Sequence, residues 1–337
     1  MLENIEIVDY KCFKDFKLDG LSRINIISGG NNVGKTALLE AILLIKNTNH
    51  IRSFIQTIKF IFESRDLIKD DVDTFLETIN LSFKKNNIKI TIQHKFIDDL
   101  NDAEIDEVNK YKNDNEEFLV MNIDKVIQII PIFRFRDSMI LSRKYQSEMI
   151  FINSSKPDNT KLTELYSAIQ DLELQENFLN YLRIIDKNIV GLEPQLKERG
   201  KSFLRVSLQN PKQSLLSSEL GEGTNRFIEI LASLLKNSDG TVFIDEIENG
   251  IHYSKLKDIA KAIIEIVQKE NIQLFITTHD KETIEAFSEA CEELDFKDIS
   301  SVELYKDKEN IIQSVVRNFE QFIATVDAGM EVRWDIY

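Results

Sequence analysis

Apolar and polar positions alternate from the start of the chain. Ile5, Ile7 and Val8 open a strand, and Cys12, Phe13, Phe16 and Leu18 continue the pattern through Lys11, Asp15 and Lys17, which predicts a hairpin-like entry. Ile24, Ile26 and Ile27 form a short apolar run that reads as a buried strand. Ala37 to Leu44 then opens a helix of good helix formers that runs to about Lys46 and exits through Asn47 to His50, with His50 at the surface. Residues 51–76 carry Ile51, Phe54, Ile55, Ile58, Ile61 and Phe62 in an amphipathic pattern and predict one or two helices. Ile79, Leu81 and Phe83 alternate, as do Ile88, Ile90, Ile92 and Phe96, and the break at Lys85-Asn86-Asn87 predicts a hairpin with a covered His94 near its end.

Asp98 to Glu117 is dominated by Asp, Glu and Asn and reads as a solvated insertion. Strands are expected again from Phe118 to Phe135 and at Met149 to Ile152, which ends in a loop at Asn153 to Asn159. Lys161 to Ile185 is helical in pattern, and Phe203 to Leu208 is a strand. An amphipathic helix is expected at Phe227 to Leu235, buried strands at Thr241 to Ile244 and Gln273 to Ile276, and a helix at Lys281 to Glu289 with Asp280 as its N-cap. Neither a repeat nor a sustained heptad run is present in the sequence.

The length of 337 residues allows one large domain or two small ones, and 11 glycines with 4 prolines favour a helix-rich α/β protein. A net charge of −15 gives nucleic-acid binding no support, although Lys11, Lys14 and Lys17 could form a small basic patch. The two cysteines, Cys12 and Cys291, build neither a disulfide framework nor a zinc spacing. The acidic N-terminus is unlike a signal peptide, and apolar runs such as Ile129 to Phe133 are too short for a membrane span. These features predict a soluble, cytoplasmic protein with no membrane partner.

The chemistry begins between the first buried strand and the first helix. Gly29, Gly30, Asn31, Asn32, Val33, Gly34, Lys35 and Thr36 form G-x-x-x-x-G-K-T, and Ala37 starts the helix. Glycines there let the backbone wrap phosphate oxygens, Lys35 reaches the β- and γ-phosphates, and the Thr36 hydroxyl holds Mg²⁺. Thr241 to Ile244 delivers two carboxylates at a strand end, Asp245 to orient the metal and Glu246 to position or deprotonate the attacking water. His279 ends another buried strand, suited to meet the γ-phosphate or that water. Leu220, Gly221, Glu222, Gly223 and Thr224 precede a helix and offer free N–H groups to an anion.

Together G-x-N-x-x-G-K-T, L-G-E-G-T, D-E-I-E-N-G-I-H and T-T-H-D, in that order, resemble single-head AAA-family ATPases of the ABC-type branch that includes SMC, RecF and OLD proteins. The resemblance runs from Tyr10-Lys11-Cys12-Phe13 to Glu331-Val332-Arg333, without the long coiled coil of SMC proteins and without the Toprim nuclease of OLD proteins. It implies a P-loop NTPase fold of ABC-ATPase head type: a mostly parallel core sheet flanked by helices, an antiparallel β subdomain and a helical lobe. Residues 1–97 and 200–337 would form the core and 98–199 an inserted lobe.

The resemblance also implies roles. Gly29 to Thr36 match Walker A, Asp245 and Glu246 match Walker B with the catalytic glutamate, and His279 matches the switch histidine. Glu248 to His252 fall at the D-loop, and Leu220, Gly221, Gly223 and Thr224 match the signature motif, which caps the ATP of a second copy. Glu222 is a poor direct ligand of a γ-phosphate. The expected assembly is a homodimer, or a higher oligomer built on it, with ATP and Mg²⁺ at the interface and a separately encoded effector. A nucleotide-dependent scaffold or DNA-binding module with little turnover is the alternative; a GTPase is disfavoured because no N-K-x-D segment is present.

Overall fold

The computed structural model describes residues 1–48, 51–63, 80–85, 88–109, 117–123, 126–132, 149–196 and 202–329. His50, residues 64–76, the turn residues Asn86 and Asn87, residues 133–135 and Glu331 to Arg333 lie outside the described residues.

The six-stranded core sheet runs in the order β15-β14-β3-β13-β12-β8. Its strands are β3 (Ile24–Gly29), β8 (Met149–Ile152), β12 (Thr241–Ile244), β13 (Gln273–Thr277), β14 (Ile299–Lys306) and β15 (Ile312–Arg317). All pair in parallel except β15, which adds an antiparallel edge. Strands β3, β12 and β13 are buried at every position, because helices or a second sheet cover both faces. Phe151, Phe243 and Phe275 stand in register across β8, β12 and β13, their centroids 6.1 and 5.3 Å apart. Inside β3, the buried Asn25 is satisfied by Ser22, Leu274 O and the Ser300 hydroxyl, which locks this strand between β13 and β14.

One face of the core sheet, with Ile24, Ile26, Val242, Ile244, Leu274 and Ile276, packs against a helical layer. That layer is α4 (Asn159–Asp171), α5 (Gln175–Leu182), α6 (Glu222–Leu235), α7 (Tyr253–Lys269) and α8 (Lys281–Glu293), with α9 (Phe319–Asp327) at its edge. The other face, with Ile27, Phe243, Phe275 and Val302, packs against α1 (Lys35–Lys46) and α2 (Ile51–Glu63). Helix α1 is buried from Leu38 to Ile45 on all sides because an antiparallel sheet covers its outer face. That sheet has the order β2-β1-β4-β5-β6-β7. Its strands are β1 (Asn4–Tyr10), β2 (Phe13–Asp19), β4 (Asn80–Lys85), β5 (Ile88–Phe96), β6 (Glu117–Ile123) and β7 (Val126–Pro131). A third sheet, β11-β10-β9, joins β9 (Ile189–Leu196), β10 (Ser202–Leu208) and β11 (Gln213–Leu216).

Strand pairing links the stretch 98–199 to all three sheets. Strands β6 and β7 extend the N-terminal antiparallel sheet beyond β5, and β8 joins the core sheet beside β12. Strand β10, expected in the core, pairs instead with β9. Alternation identifies a strand but not its partner.

In the acidic stretch Asp98 to Glu117, residues 110–116 lie outside the described residues, and the described part is mostly exposed with a small buried anchor. Asp102–Asn109 forms α3, and Leu100 and Val108 pack on Phe118, Val120 and Ile129. Glu104 is buried, with both carboxylate oxygens 2.9 Å from Lys95 Nζ and the Asn101 N–H donating to one of them. At the N-terminus, Lys14 pairs with Asp9 and Lys17 with Glu6, cross-strand neighbours in the β1–β2 register, while Lys11 pairs with Glu40 of α1. Each of the three lysines thus has an acidic side chain beside it, Asp9 and Glu6 in the hairpin and Glu40 in α1.

Candidate active site

The phosphate-binding sequence occupies the turn from β3 to α1, at the carboxyl edge of the parallel strands. Its path depends on two glycines. Gly29 has φ +141°, and a Cβ there would stand 2.3 Å from Leu304 O of β14. Gly34 has φ +90°, and its Cβ would stand 2.6 Å from Cys12 Sγ and 3.1 Å from the Phe13 ring in the β1–β2 turn. The loop is therefore pinned between the core sheet and the N-terminal hairpin. Gly34 is the N-cap of α1 and supplies no side-chain cap, so the first amides of the helix remain for an anion. Val33 is buried in the core and contributes to this cradle through its backbone; Asn31 and Asn32 are exposed. Lys35 Nζ donates to Gly29 O at 2.9 Å and Gly30 O at 2.8 Å, arching over the loop. Burial lowers the Lys35 pKa, against the opposing pull of Glu246, Asp245 and Glu248.

Strand β13 separates β3 from β12, and the ends of all three meet at one point. Thr36 Oγ1 lies 2.9 Å from Asp245 Oδ2, and Thr277 Oγ1 donates to Asp245 Oδ1 at 2.6 Å. Burial raises the Asp245 pKa, while the hydroxyls of Thr277 and Thr36 hold it down. The Thr36 hydroxyl in the first turn of α1 and the Asp245 carboxylate after β12 are hard oxygen donors, a set that fits Mg²⁺ bound by one or two protein ligands and by phosphate oxygens. Glu246 follows with φ +49°, a left-handed conformation that costs a non-glycine residue free energy and is sustained by its surroundings. Its N–H donates to Thr277 Oγ1 at 2.8 Å, and its Oε2 accepts from Asn249 Nδ2 at 2.8 Å. One turn further along α1, Glu40 is pushed up to about 8 by burial, although the Tyr10 hydroxyl donates to it.

His279 follows β13, half exposed, with its N–H and its ring Nδ1 each 2.9 Å from Glu248 Oε1. Asp280 caps α8 as expected, accepting from Thr283 N. The signature-like segment lies at the start of α6. Gly221 is the N-cap, with open space around the position of a Cβ, whereas a Cβ on Gly223 would meet Gly250 O at 2.3 Å. The Glu222 Cγ and Cβ lie 2.7 and 3.3 Å from where a Cβ on Gly250 would stand, so the stem of this exposed side chain packs on the turn after β12. Leu220 packs on the helical core.

Hydrogen bonds thus join Lys35 to its own loop and Thr36, Asp245, Thr277 and Glu246 to one another. Leu220 to Thr224 reaches them through Gly250 and through Arg226. That arginine is buried in α6; it donates to Asp245 O at 2.7 Å and Asn153 O at 2.5 Å, and pairs with Glu229, which also pairs with Lys161. Sequence reasoning gave no role to Arg226 or Glu229, and it carried Asn249 and Thr277 only inside motifs, without their contacts to Glu246 and Asp245. The available signals were two charged residues within an apolar helix face and a threonine at the end of an otherwise apolar strand.

A glycine loop between a parallel strand and a helix, an acidic pair at the end of a second strand, and an intervening strand that ends beside both define a P-loop NTPase. Residues 24–285 match the family model described as "AAA domain, putative AbiEii toxin, Type IV TA system", and the chain belongs to that family. It is 27% identical over 336 residues to a protein of Helicobacter pylori named ATP/GTP phosphatase, covering 88% of this chain and 90% of that protein. An uncharacterized protein of Methanocaldococcus jannaschii is 30% identical over 125 residues, covering 36% of this chain and 52% of that one. Among solved structures, an SMC head bound to the C-winged helix domain of ScpA aligns at TM-score 0.49 and 14% identity, covering 96% of this chain and 99% of that chain. The SMC head domain from Thermotoga maritima aligns at TM-score 0.42 and 13% identity, covering 94% and 98%.

Proposed function

We propose that the chain hydrolyses ATP as a head-to-tail homodimer, with two nucleotides held between the phosphate loop of one copy and the signature segment of the other. The carrying observation is the joined set Thr36–Asp245–Thr277–Glu246 beside the glycine loop. In this reading the amides of Gly29 to Thr36 cradle the β- and γ-phosphates and Lys35 turns from its loop carbonyls to those oxygens. Thr36 and Asp245 would hold Mg²⁺, which when bound neutralises phosphate charge. Glu246, steadied by Asn249, orients and deprotonates the water; His279 contacts the γ-phosphate or that water. Gly221, Gly223 and Thr224 offer the amides at the start of α6 to the nucleotide of the second copy. No helix among the described residues is long and apolar enough to cross a membrane.

ATP binding would close two heads and hydrolysis release them, a switch driven by contacts made only in the closed state. The head would control a separately encoded effector, a nuclease or toxin, in anti-phage defence or genome maintenance; the family description, which names a putative toxin of a type IV toxin–antitoxin system, supports the defence setting and not the separate effector. Co-purification from the native operon tests that part. The name of the Helicobacter relative covers GTP as well as ATP, so turnover is to be measured with both.

The shared interface is tested by mixing two variants. Lys35→Ala lacks the ammonium that meets phosphate and is expected to lose nucleotide affinity. Gly221→Asp adds a carboxylate where the structure has open space, so it spares its own subunit; Gly223 is unsuitable because any side chain there strikes Gly250. Each variant alone is expected to be inactive. A head-to-tail heterodimer of the two keeps one intact site, so an equal mixture should recover about a quarter of wild-type phosphate release. A mixture no more active than its parts counts against sites shared between subunits.

A further inference from the structure

His279 is held by a carboxylate that no motif assigns to it. Glu248 is about nine-tenths buried in the turn after β12, and its Oε1 lies 2.9 Å from both the His279 N–H and the His279 Nδ1. A carboxylate accepts only, so the imidazole must donate from Nδ1. The ring is half exposed and its Nδ1 edge is covered by Glu248, which leaves Nε2 on the open edge. The partner of one ring nitrogen decides the chemistry of the other.

We propose that Glu248 is the positioning residue of His279, fixing the Nδ1–H tautomer and presenting Nε2 to the γ-phosphate or the attacking water. The proposal rests on the catalytic reading of His279 given above. Neutral imidazole so held accepts at Nε2 from water; once protonated, it donates there to a phosphate oxygen. Both modes need the ring in one orientation, and Glu248 supplies it from two sides, through the backbone of residue 279 and through its ring.

Two further observations place this carboxylate in the catalytic apparatus. Its Oε2 is buried without a hydrogen-bond partner among the described residues, a costly arrangement for a group serving only as a local turn brace. Its charge acts on Lys35 and Arg226, the cations that face it, with Asp245 and Glu246 as the carboxylates of the same site. The next residue, Asn249, holds Glu246, so two consecutive side chains orient the two groups assigned to the attacking water. Gly250 then presses on Gly223 of the signature segment, so a movement of that segment reaches both.

The test uses the full chain labelled with ¹⁵N-histidine, which has four imidazoles, with the His279 resonances identified by their loss in His279→Gln. Above the ordinary imidazole pKa, wild-type His279 should carry its proton on Nδ1, and Glu248→Ala should move it to Nε2 or to a mixture. ATP turnover by Glu248→Ala should fall on the order of ten- to a hundredfold in kcat, with KM for ATP unchanged and partial rescue by Glu248→Asp. If Glu248→Ala fails to fold, the isosteric Glu248→Gln serves, with a smaller loss. An Nε2–H tautomer in the wild type, an unchanged tautomer in Glu248→Ala, or a loss carried wholly by KM would overturn the proposal. Full turnover by His279→Gln would overturn the catalytic reading of the histidine, and the tautomer result would still report on its pairing with Glu248.

Discussion

Glu246→Gln is expected to bind ATP as the wild type does, to lose phosphate release by roughly 10²–10⁴-fold, and to accumulate as an ATP-bound dimer. The substitution is nearly isosteric. Its side-chain carbonyl can still accept from Asn249, and its N–H still donates to Thr277 Oγ1, so the strained backbone at φ +49° keeps its support. What disappears is the negative charge and the basic oxygen that take a proton from water. Binding should therefore be spared while the chemical step is lost, because the phosphates are held by the loop and Lys35 and not by this carboxylate. Nucleotide titration, phosphate release and light scattering with and without ATP check the three parts separately. Turnover near the wild-type rate would remove Glu246 from the base position, and a variant that stays monomeric with ATP would count against closure driven by bound nucleotide.

The second large effect is on stability. Arg226→Ala should destabilise the fold by about 3–5 kcal/mol, because it leaves the buried Glu229 carboxylate with Lys161 alone and strips donors from the carbonyls of Asn153 and Asp245. Burial already works against the charge on Arg226, and Glu229 is the main group that sustains it. Arg226→Met with Glu229→Met replaces the pair by apolar side chains and should recover much of the stability, since the cost of a lone buried charge is gone. Turnover should not return to the same extent. The carbonyls of Asp245 and Glu246 would still lack the guanidinium that ties the strand end to α6. Urea unfolding and phosphate release on the same three proteins give the comparison; a double variant that regains both equally would reduce Arg226 to a packing residue.

Much of the molecule follows from local pattern. The run at Ile24, Ile26 and Ile27 is β3, buried throughout, and the segment after Gly34 is a helix because good formers follow a glycine that leaves its first amides uncapped. The β1–β2 and β4–β5 hairpins, the Asp280 cap and the strand before Asp245 were legible for the same reason, since turns, caps and periodicity involve neighbours in sequence. Patterns failed where the partner was distant. Glu104 looks like part of a polar insertion, yet Lys95 and the Asn101 amide make its burial possible and an apolar contact through Val108 fixes its helix.

By itself, the sequence determined that a nucleotide loop, an acidic strand end, a strand-end histidine and a glycine-led helix occur in this order. These are short segments whose chemistry depends on residue type and spacing. Only the tertiary structure decided how they act together: Thr277 between Asp245 and Glu246, Arg226 on their carbonyls, Glu248 on His279, and Gly223 against Gly250. The reason is range. A motif is carried by a few adjacent residues, whereas each of these contacts spans between 19 and 32 positions of chain and exists only once the parallel sheet has brought the strand ends to one edge.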